Sequence, residues 1–187
     1  MQCSILWQGR QADSKEHCLI HTNESGIKVD SVIIGKQGDM IYRVEYAILL
    51  NLQWETLSFS ISSLHNDVIQ RLDYASDGKG NWTDQGEPVP KLDGCLYIDL
   101  PLTPFTNSLP INRLHLQNGE EQQIRVIYID LLEEKVSPLS QKYKKLGDNS
   151  YHYQNVPNDF EAVITTNEDG LVTDYPGLFI QTGLRKI

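Results

Sequence analysis

The sequence has few cysteines, few basic residues and no long apolar run, and each shortage excludes a class of protein. The three cysteines, Cys3, Cys18 and Cys95, are an odd number with no C-x-x-C spacing. This usage favours free thiols in a reducing cytosol over a disulfide framework. Sixteen Lys and Arg residues against 25 Asp and Glu residues give a net charge of −9. That sign is opposite to the one that phosphate backbones attract, so we expect no nucleic-acid partner.

Signals for export and membrane insertion are also missing. The first residues lack the basic start and apolar run of a secretory signal. No stretch reaches the roughly 18 apolar residues of a membrane span. Hydrophobic residues make up 40% and charged residues 22% of the chain, which is ordinary globular usage. The sequence therefore predicts a folded, cytoplasmic protein with no stable membrane insertion, and it leaves the oligomeric state open.

Motifs for metals, phosphates and nucleophiles are absent as well. His17 and His21 fall in a predicted strand, where a rise of about 3.3 Å per residue separates them by roughly 13 Å, too far to share a zinc ion. The glycine-rich segments 35–38 and 78–81 lack the spacing of a P-loop. No G-x-S-x-G motif presents a serine nucleophile. We therefore expect no metal, no cofactor and no enzymatic activity.

Alternation of apolar and polar residues with a period of two dominates the chain and predicts strands. The clearest case is 40–50, where Tyr42, Val44 and Tyr46 share one face. Glycine-bearing turn signals at 77–80, 118–119 and 168–170 favour tight reversals between strands. No repeat or linker divides the chain, so we expect one antiparallel all-β domain spanning 1–187. The predicted strands are 4–7, 18–22, 27–34, 40–50, 52–61, 68–74, 96–100, 123–132, 151–154, 160–166 and 171–174.

One segment fits a helix as well as a strand. Leu139, Tyr143 and Leu146 follow a helical i, i+4, i+7 spacing. The spacing begins after Pro138 and ends before Gly147, which suits the ends of a helix. Pattern alone leaves both alternatives open.

The most unusual stretch is 95–114, which mixes polar residues and three prolines with an apolar run. Asp99 lies within an apolar strand, and Thr106, Asn107 and Arg113 follow among apolar neighbours. Buried charges are costly unless they are paired. Two interpretations follow: an internal Asp99–Arg113 ion pair with Asn107 holding the loop backbone, or a polar head-group site made of the same residues.

The same stretch resembles the bacterial family of putative glycolipid-binding proteins, and the similarity extends over nearly the whole chain. In the centre the matching residues are Gly94-Cys95, Asp99, Thr103-Pro104-Phe105-Thr106-Asn107, Leu109-Pro110-Ile111 and Arg113-Leu114. Outside it they are Trp7, Gly9, Gly80, Trp82, Gln141, Tyr143, Phe160, Asp169-Gly170, Val172 and Tyr175-Pro176. Two residues depart from the family pattern: Tyr97 replaces a second Asp and Asn112 replaces a basic residue.

The resemblance implies a spirally rolled sheet or half-barrel with a concave apolar face. Lipoprotein carriers and periplasmic lipid-binding proteins hold acyl chains in sheets of this shape. It implies non-catalytic binding of an amphipathic small molecule, a glycolipid or another acyl-chain lipid. The ligand-binding residues would be Trp82, Asp99, Phe105, Thr106, Asn107, Arg113, Gln141 and Tyr143.

The residues themselves agree with the resemblance on one point. Segments 96–102 and 124–132 are apolar on both faces, which a sheet over a single core does not need. A cavity of ~300 to 1,000 Å³ against one face would account for the pattern. Two alternatives remain: an enzyme acting on a lipid-like or glycosylated molecule through Asp99, His115 or Tyr143, and a protein-interaction module with an exposed apolar patch.

Overall fold

The computed structural model describes residues 2–186 and consists mainly of one fifteen-stranded sheet. The strands are β1 Gln2–Gly9, β2 Asp13–Asn23, β3 Gly26–Gln37, β4 Met40–Leu50, β5 Thr56–His65, β6 Val68–Ser76, β7 Trp82–Asp84, β8 Glu87–Pro88, β9 Tyr97–Asp99, β10 Glu121–Asp130, β11 Lys135–Gly147, β12 Ser150–Val156, β13 Glu161–Thr166, β14 Val172–Tyr175 and β15 Phe179–Lys186. Within 2–186 the only α-helix is α1, Phe105–Leu114, and a 3₁₀ turn covers Pro90–Leu92. The all-β expectation is confirmed.

The strand order joins two antiparallel meanders side by side. The order is β8-β7-β6-β5-β4-β3-β2-β1-β15-β14-β13-β12-β11-β10-β9, so β1 pairs with β15 where the meanders meet. Strands β8 and β9, which follow each other along the chain, therefore lie at opposite edges. Among the strands of residues 2–186, only β9 and β10 pair in parallel. A parallel pair needs a long crossover connection, and α1 lies in that connection.

The sheet rolls around α1. Residues 105–111 of the helix are all buried, so the helix has no solvent face over this stretch. Phe105 stacks on Tyr46 of β4, with ring centroids 6.4 Å apart. On the other half of the sheet, the Asn112 side-chain amide donates a hydrogen bond to the Gly170 carbonyl oxygen at 3.3 Å. Because the helix contacts both meanders, they must curve towards each other.

Hydrogen bonds join the two edges of the rolled sheet along a seam formed by Gly80, Trp82, Gly94 and Cys95. The Gly94 amide donates to the Gly80 carbonyl oxygen at 3.0 Å, and the Trp82 indole donates to the Cys95 carbonyl oxygen at 2.7 Å. Gly80 adopts a φ of +89°, and a Cβ there would lie 3.1 Å from the Gly94 Cα. Only glycine suits both that backbone conformation and that close approach.

The concave face carries most of the core. In β4 the side chains of Tyr42, Val44 and Tyr46 are buried while Ile41 and Arg43 are exposed, as the alternation predicts. Strands β9 and β10 differ because the edge they form is buried on both faces over part of its length. This is the region where the sequence is apolar on both faces.

Two segments adopt a secondary structure that their sequence patterns do not predict. The helical alternative at Leu139–Leu146 is wrong, because these residues lie in β11 and pair with both β10 and β12. Helix α1 was not predicted. It begins after Pro104, where the backbone N–H would have no partner within the helix, so a proline is tolerated. The Thr103 hydroxyl accepts a hydrogen bond from the Phe105 amide at 3.0 Å. Pro110 lies inside the helix and has no N–H to donate, so the sequence pattern there does not indicate a helix.

Candidate functional site

A cavity of about 670 Å³ opens at one end of the rolled sheet. Its mouth is formed by the β1–β2 turn, the β3–β4 turn, the segment after β10 and the segment before β15. The volume falls within the range of ~300 to 1,000 Å³ that is usual for small-molecule sites. The end of the roll is therefore a candidate binding site, which is called the cavity below.

Aromatic rings form much of the cavity wall. Tyr153 lies edge-on to Tyr175 with centroids 6.1 Å apart, and Tyr175 lies edge-on to Phe179 at 6.3 Å. Such edge-to-face pairs are a favourable arrangement of ring quadrupoles, and they hold the rings in place. The cavity-lining aromatic residues are Tyr42, Tyr128, Tyr153, Phe160, Tyr175 and Phe179.

Asp99 is the buried carboxyl group that lines this cavity. Its Oδ2 accepts a hydrogen bond from Gln141 Nε2 at 2.6 Å, and its Oδ1 accepts a long one from the Thr106 hydroxyl at 3.4 Å. Within 2–186 it forms no ion pair. Burial raises the pKa of Asp99 to about 6, because desolvation of the carboxylate outweighs these two hydrogen bonds.

A hydrogen-bond chain continues from Asp99 along the cavity wall. Gln141 Nε2 also donates to the Tyr153 hydroxyl at 2.8 Å, and that hydroxyl donates to Asn155 Oδ1 at 2.7 Å. The Gln141 amide group thus donates to both Asp99 and Tyr153. These bonds fix the orientation of Asp99 and leave the Tyr153 hydroxyl without a proton to offer a ligand.

Asn107 supplies a second polar group to the cavity. The side chain is only 4% exposed, and among the described residues its Oδ1 has no hydrogen-bond partner. Thr106, the preceding residue on α1, turns its hydroxyl to Asp99 and accepts the Leu100 amide at 3.3 Å. Asn107 therefore lines the cavity with an acceptor that lacks a donor, and a buried acceptor without a hydrogen bond is unfavourable.

Arg113 does not contact Asp99, so the predicted internal ion pair is wrong. Its guanidinium binds Glu55 Oε1 at 2.8 Å and lies over the Tyr97 ring, 5.4 Å from the centroid. The reason is the unpredicted helix: seven residues at about 1.5 Å per residue carry Arg113 roughly 10 Å along the axis from Thr106. Asp99 is thus left without a cationic partner among the residues that the structure describes.

The other predicted site residues lie in the core around this cavity. Phe105 packs on Tyr46, and Tyr143 lies edge-on to Tyr153 with centroids 5.3 Å apart. Trp82 packs on Phe59 at the seam between the sheet edges. Of the eight predicted ligand-binding residues, Asp99 and Asn107 line the cavity. Thr106 and Gln141 form hydrogen bonds to Asp99 from behind it, and Trp82, Phe105, Arg113 and Tyr143 lie elsewhere in the core.

A second buried carboxyl group, Glu16 of β2, was missed by the sequence analysis. Its Oε1 accepts hydrogen bonds from the Tyr46 hydroxyl at 2.6 Å and from the Ser31 hydroxyl at 2.7 Å. The Tyr46 hydroxyl lies 3.3 Å from the hydroxyl of Thr103, which lines the cavity. Burial raises the pKa of Glu16 to about 7. Alternation held the signal, since Glu16 shares the inward face of β2 with Cys18.

Within residues 2–186 no group of three or more His, Cys, Asp or Glu side chains is arranged to hold a metal ion. In the same range no helix is long and apolar enough to cross a membrane.

Comparisons with known proteins agree on the fold. A crystal structure of a DUF1089 family protein from Pseudomonas aeruginosa is 31% identical, covers 88% of this chain and 91% of its own, and superposes with a TM-score of 0.81. A beta-barrel-like protein of the domain of unknown function DUF1849 from Brucella abortus is 10% identical, covers 98% of this chain and 96% of its own, and has a TM-score of 0.52. That second likeness concerns the fold alone. No curated protein matched the chain significantly. The model of the family described as "Putative glycolipid-binding" matches residues 4–181, and the chain therefore belongs to this family.

Proposed function

We propose that this protein binds an amphipathic small molecule, a glycolipid or another acyl-chain lipid, in the cavity and does not change it chemically. The observation that carries the proposal is the composition of the cavity: aromatic walls surround the buried polar groups Asp99 and Asn107. Ligand sites of this kind combine apolar area with a few polar groups that fix orientation. The description of the family supports a glycolipid as the ligand class.

The two kinds of surface suit the two parts of such a ligand. The rings of Tyr153, Phe160 and Tyr175 form a continuous apolar wall that suits an alkyl chain or a sugar face. Asp99 and Asn107 suit a head group with hydrogen-bond donors. The buried free thiols of Cys3, Cys18 and Cys95 support the cytoplasmic location that we propose for this binding.

The test is calorimetric titration with an alkyl glycoside, for example octyl β-glucoside below its micelle concentration. We expect one molecule to bind per chain and to raise the melting temperature, because a ligand that binds only the native state stabilises it. Ala12 lines the cavity, so Ala12→Trp should obstruct it and abolish binding. Ala75 is exposed on β6, so Ala75→Trp is the matched control and should bind as the wild type does. Absence of binding and of a thermal shift in the wild-type protein would contradict the proposal.

An enzyme is the second candidate, and one observation favours it. Of the three titratable groups considered from the sequence, only Asp99 lines the cavity, and its pKa of about 6 suits acid–base chemistry near neutral pH. His115 is exposed at the end of α1, and Tyr143 is fully buried with its pKa raised well above the ordinary value. Hydrolysis of a bound glycoside that is lost in Asp99→Asn would establish this alternative in place of the binder.

A further inference from the structure

The cavity offers hydrogen-bond acceptors that the protein leaves short of donors. Asp99 receives one short hydrogen bond and one at 3.4 Å, and no cation pairs with it within 2–186. Asn107 Oδ1 is buried without a partner among the described residues. Asp99 and Asn107 line the same cavity. A ligand with N–H or O–H donors would satisfy both groups.

The charges around the cavity have the same sign as these acceptors. Of the described residues, three acidic ones line it, Asp99, Asp130 and Glu133, against one basic residue, Lys36. Asp130 Oδ1 accepts the backbone amides of Leu132 and Glu133, which holds this carboxylate at the mouth. A neutral ligand leaves this excess negative charge uncompensated, and a cationic ligand balances it.

The aromatic wall favours a cation as well. The faces of aromatic rings carry negative potential, and several rings around one space attract ammonium groups. Tyr153, Phe160 and Tyr175 line the cavity and pack against one another, with centroids 6.1 to 6.2 Å apart. Their positions are held by mutual contact, so the wall is formed before a ligand arrives.

We infer that the head group bound by this cavity carries a protonated amine, whose N–H groups donate to Asp99 and Asn107 while its positive charge lies against the aromatic wall. This inference rests on the proposed function and names its ligand class. A sugar hydroxyl can supply donors to the two acceptors. An ammonium group supplies the donors together with a positive charge that pairs with Asp99.

Three ligands with the same eight-carbon tail separate these possibilities: octylammonium, 1-octanol and octyl β-glucoside. Their affinities are measured by calorimetry at pH 8 and 0.15 M salt. At this pH the amine is protonated and Asp99 is ionised, and the salt screens the non-specific attraction of a cation to the acidic protein. Hydrogen bonds between charged groups are worth enough that octylammonium should bind at least about tenfold tighter than 1-octanol.

Substitutions test whether the preference for octylammonium over 1-octanol arises in the cavity. Asp99→Asn should reduce the preference to within about threefold, since it removes the charge while keeping most of the shape. Glu24 is exposed, so Glu24→Gln removes an equal charge elsewhere and should leave the preference unchanged. Asn107→Leu keeps the volume, removes the acceptor and should weaken octylammonium more than 1-octanol. Melting curves show that each variant is folded.

The outcomes distinguish this inference from the proposed function. Equal or tighter binding of 1-octanol or octyl β-glucoside would overturn the amine and leave the binding function standing. An undiminished preference in folded Asp99→Asn would also overturn it, because the attraction would then come from the net charge of −9. Binding of none of the three ligands would contradict both.

Discussion

Replacing the buried Glu16 by glutamine should stabilise the protein at alkaline pH and leave its stability in acid nearly unchanged. Burial raises the pKa of Glu16 to about 7 against 4.5 for the isolated group. The native state therefore binds a proton more tightly than the unfolded chain does. A difference of this size corresponds to about 3 kcal/mol at ~1.36 kcal/mol per pKa unit.

The sign follows from proton linkage. Below about pH 4.5 the carboxyl group is protonated in both states, so its burial costs no ionisation energy. As the pH rises towards 7, the unfolded chain loses the proton while the native protein retains it, and the free energy of unfolding falls. Above pH 7 the loss is complete. Glutamine does not ionise and retains an oxygen that can accept from Tyr46 and Ser31, so the variant escapes this loss.

Urea unfolding followed by tryptophan fluorescence measures the effect, because Trp7 and Trp82 are both buried. Measurements between pH 5.5 and 8.5 stay above the isoelectric point near 4.9. In this window the stability difference between Glu16→Gln and wild type should grow by about 2 kcal/mol. For Glu24→Gln, at an exposed position, the difference in stability from wild type should not change with pH. A constant difference for Glu16→Gln as well would refute the reasoning, because Glu16 would then ionise alike in both states.

Three further predictions concern the site and its frame. Asp99→Asn should stabilise the protein in the same way but over a lower pH range. Its free energy of unfolding relative to wild type should rise by about 3 kcal/mol as the pH increases from about 4 to the native pKa of Asp99, about 6. A difference between the two proteins that does not change with pH would contradict this prediction. In a double-mutant cycle, Arg113→Gln and Glu55→Gln should couple by about 1 to 3 kcal/mol, since this pair is mostly buried, and no coupling should appear between Arg113→Gln and Asp99→Asn. Gly80→Ala should cost about 1 to 3 kcal/mol more than Gly119→Ala, because both have positive φ but only Gly80 approaches another backbone; equal costs would show that the seam is loosely packed.

Local alternation was enough to predict most strands of this protein. The predicted strand 40–50 coincides with β4, and 27–34 and 68–74 lie within β3 and β6. An alternation with a period of two shows which face of a strand is buried, and this pattern can be read from neighbouring residues alone. The same alternation placed Asp99 in a buried strand and identified it as a polar group in need of a partner.

Tertiary contacts decided the rest, beginning with α1. Its residues 105–111 are buried on every side, so the sequence shows no amphipathic stripe from which to recognise a helix. The opposite happened in β11, whose helical spacing is overridden by ladders to β10 and β12. Segments with an ambiguous pattern take the conformation that buries them best.

The site depends on the same long-range packing. Gln141, the donor to Asp99, is 42 positions away along the chain, and Arg113 was excluded from that role only because a helix carried it towards Glu55. Asp99 and Glu16 belong to different meanders, and only rolling of the sheet places both near one cavity. The sequence alone therefore identified Asp99 as a buried polar residue, although it did not single out Glu16. The partner of each was set by how the sheet curves, because a hydrogen bond depends on distances of a few ångströms that no local pattern encodes.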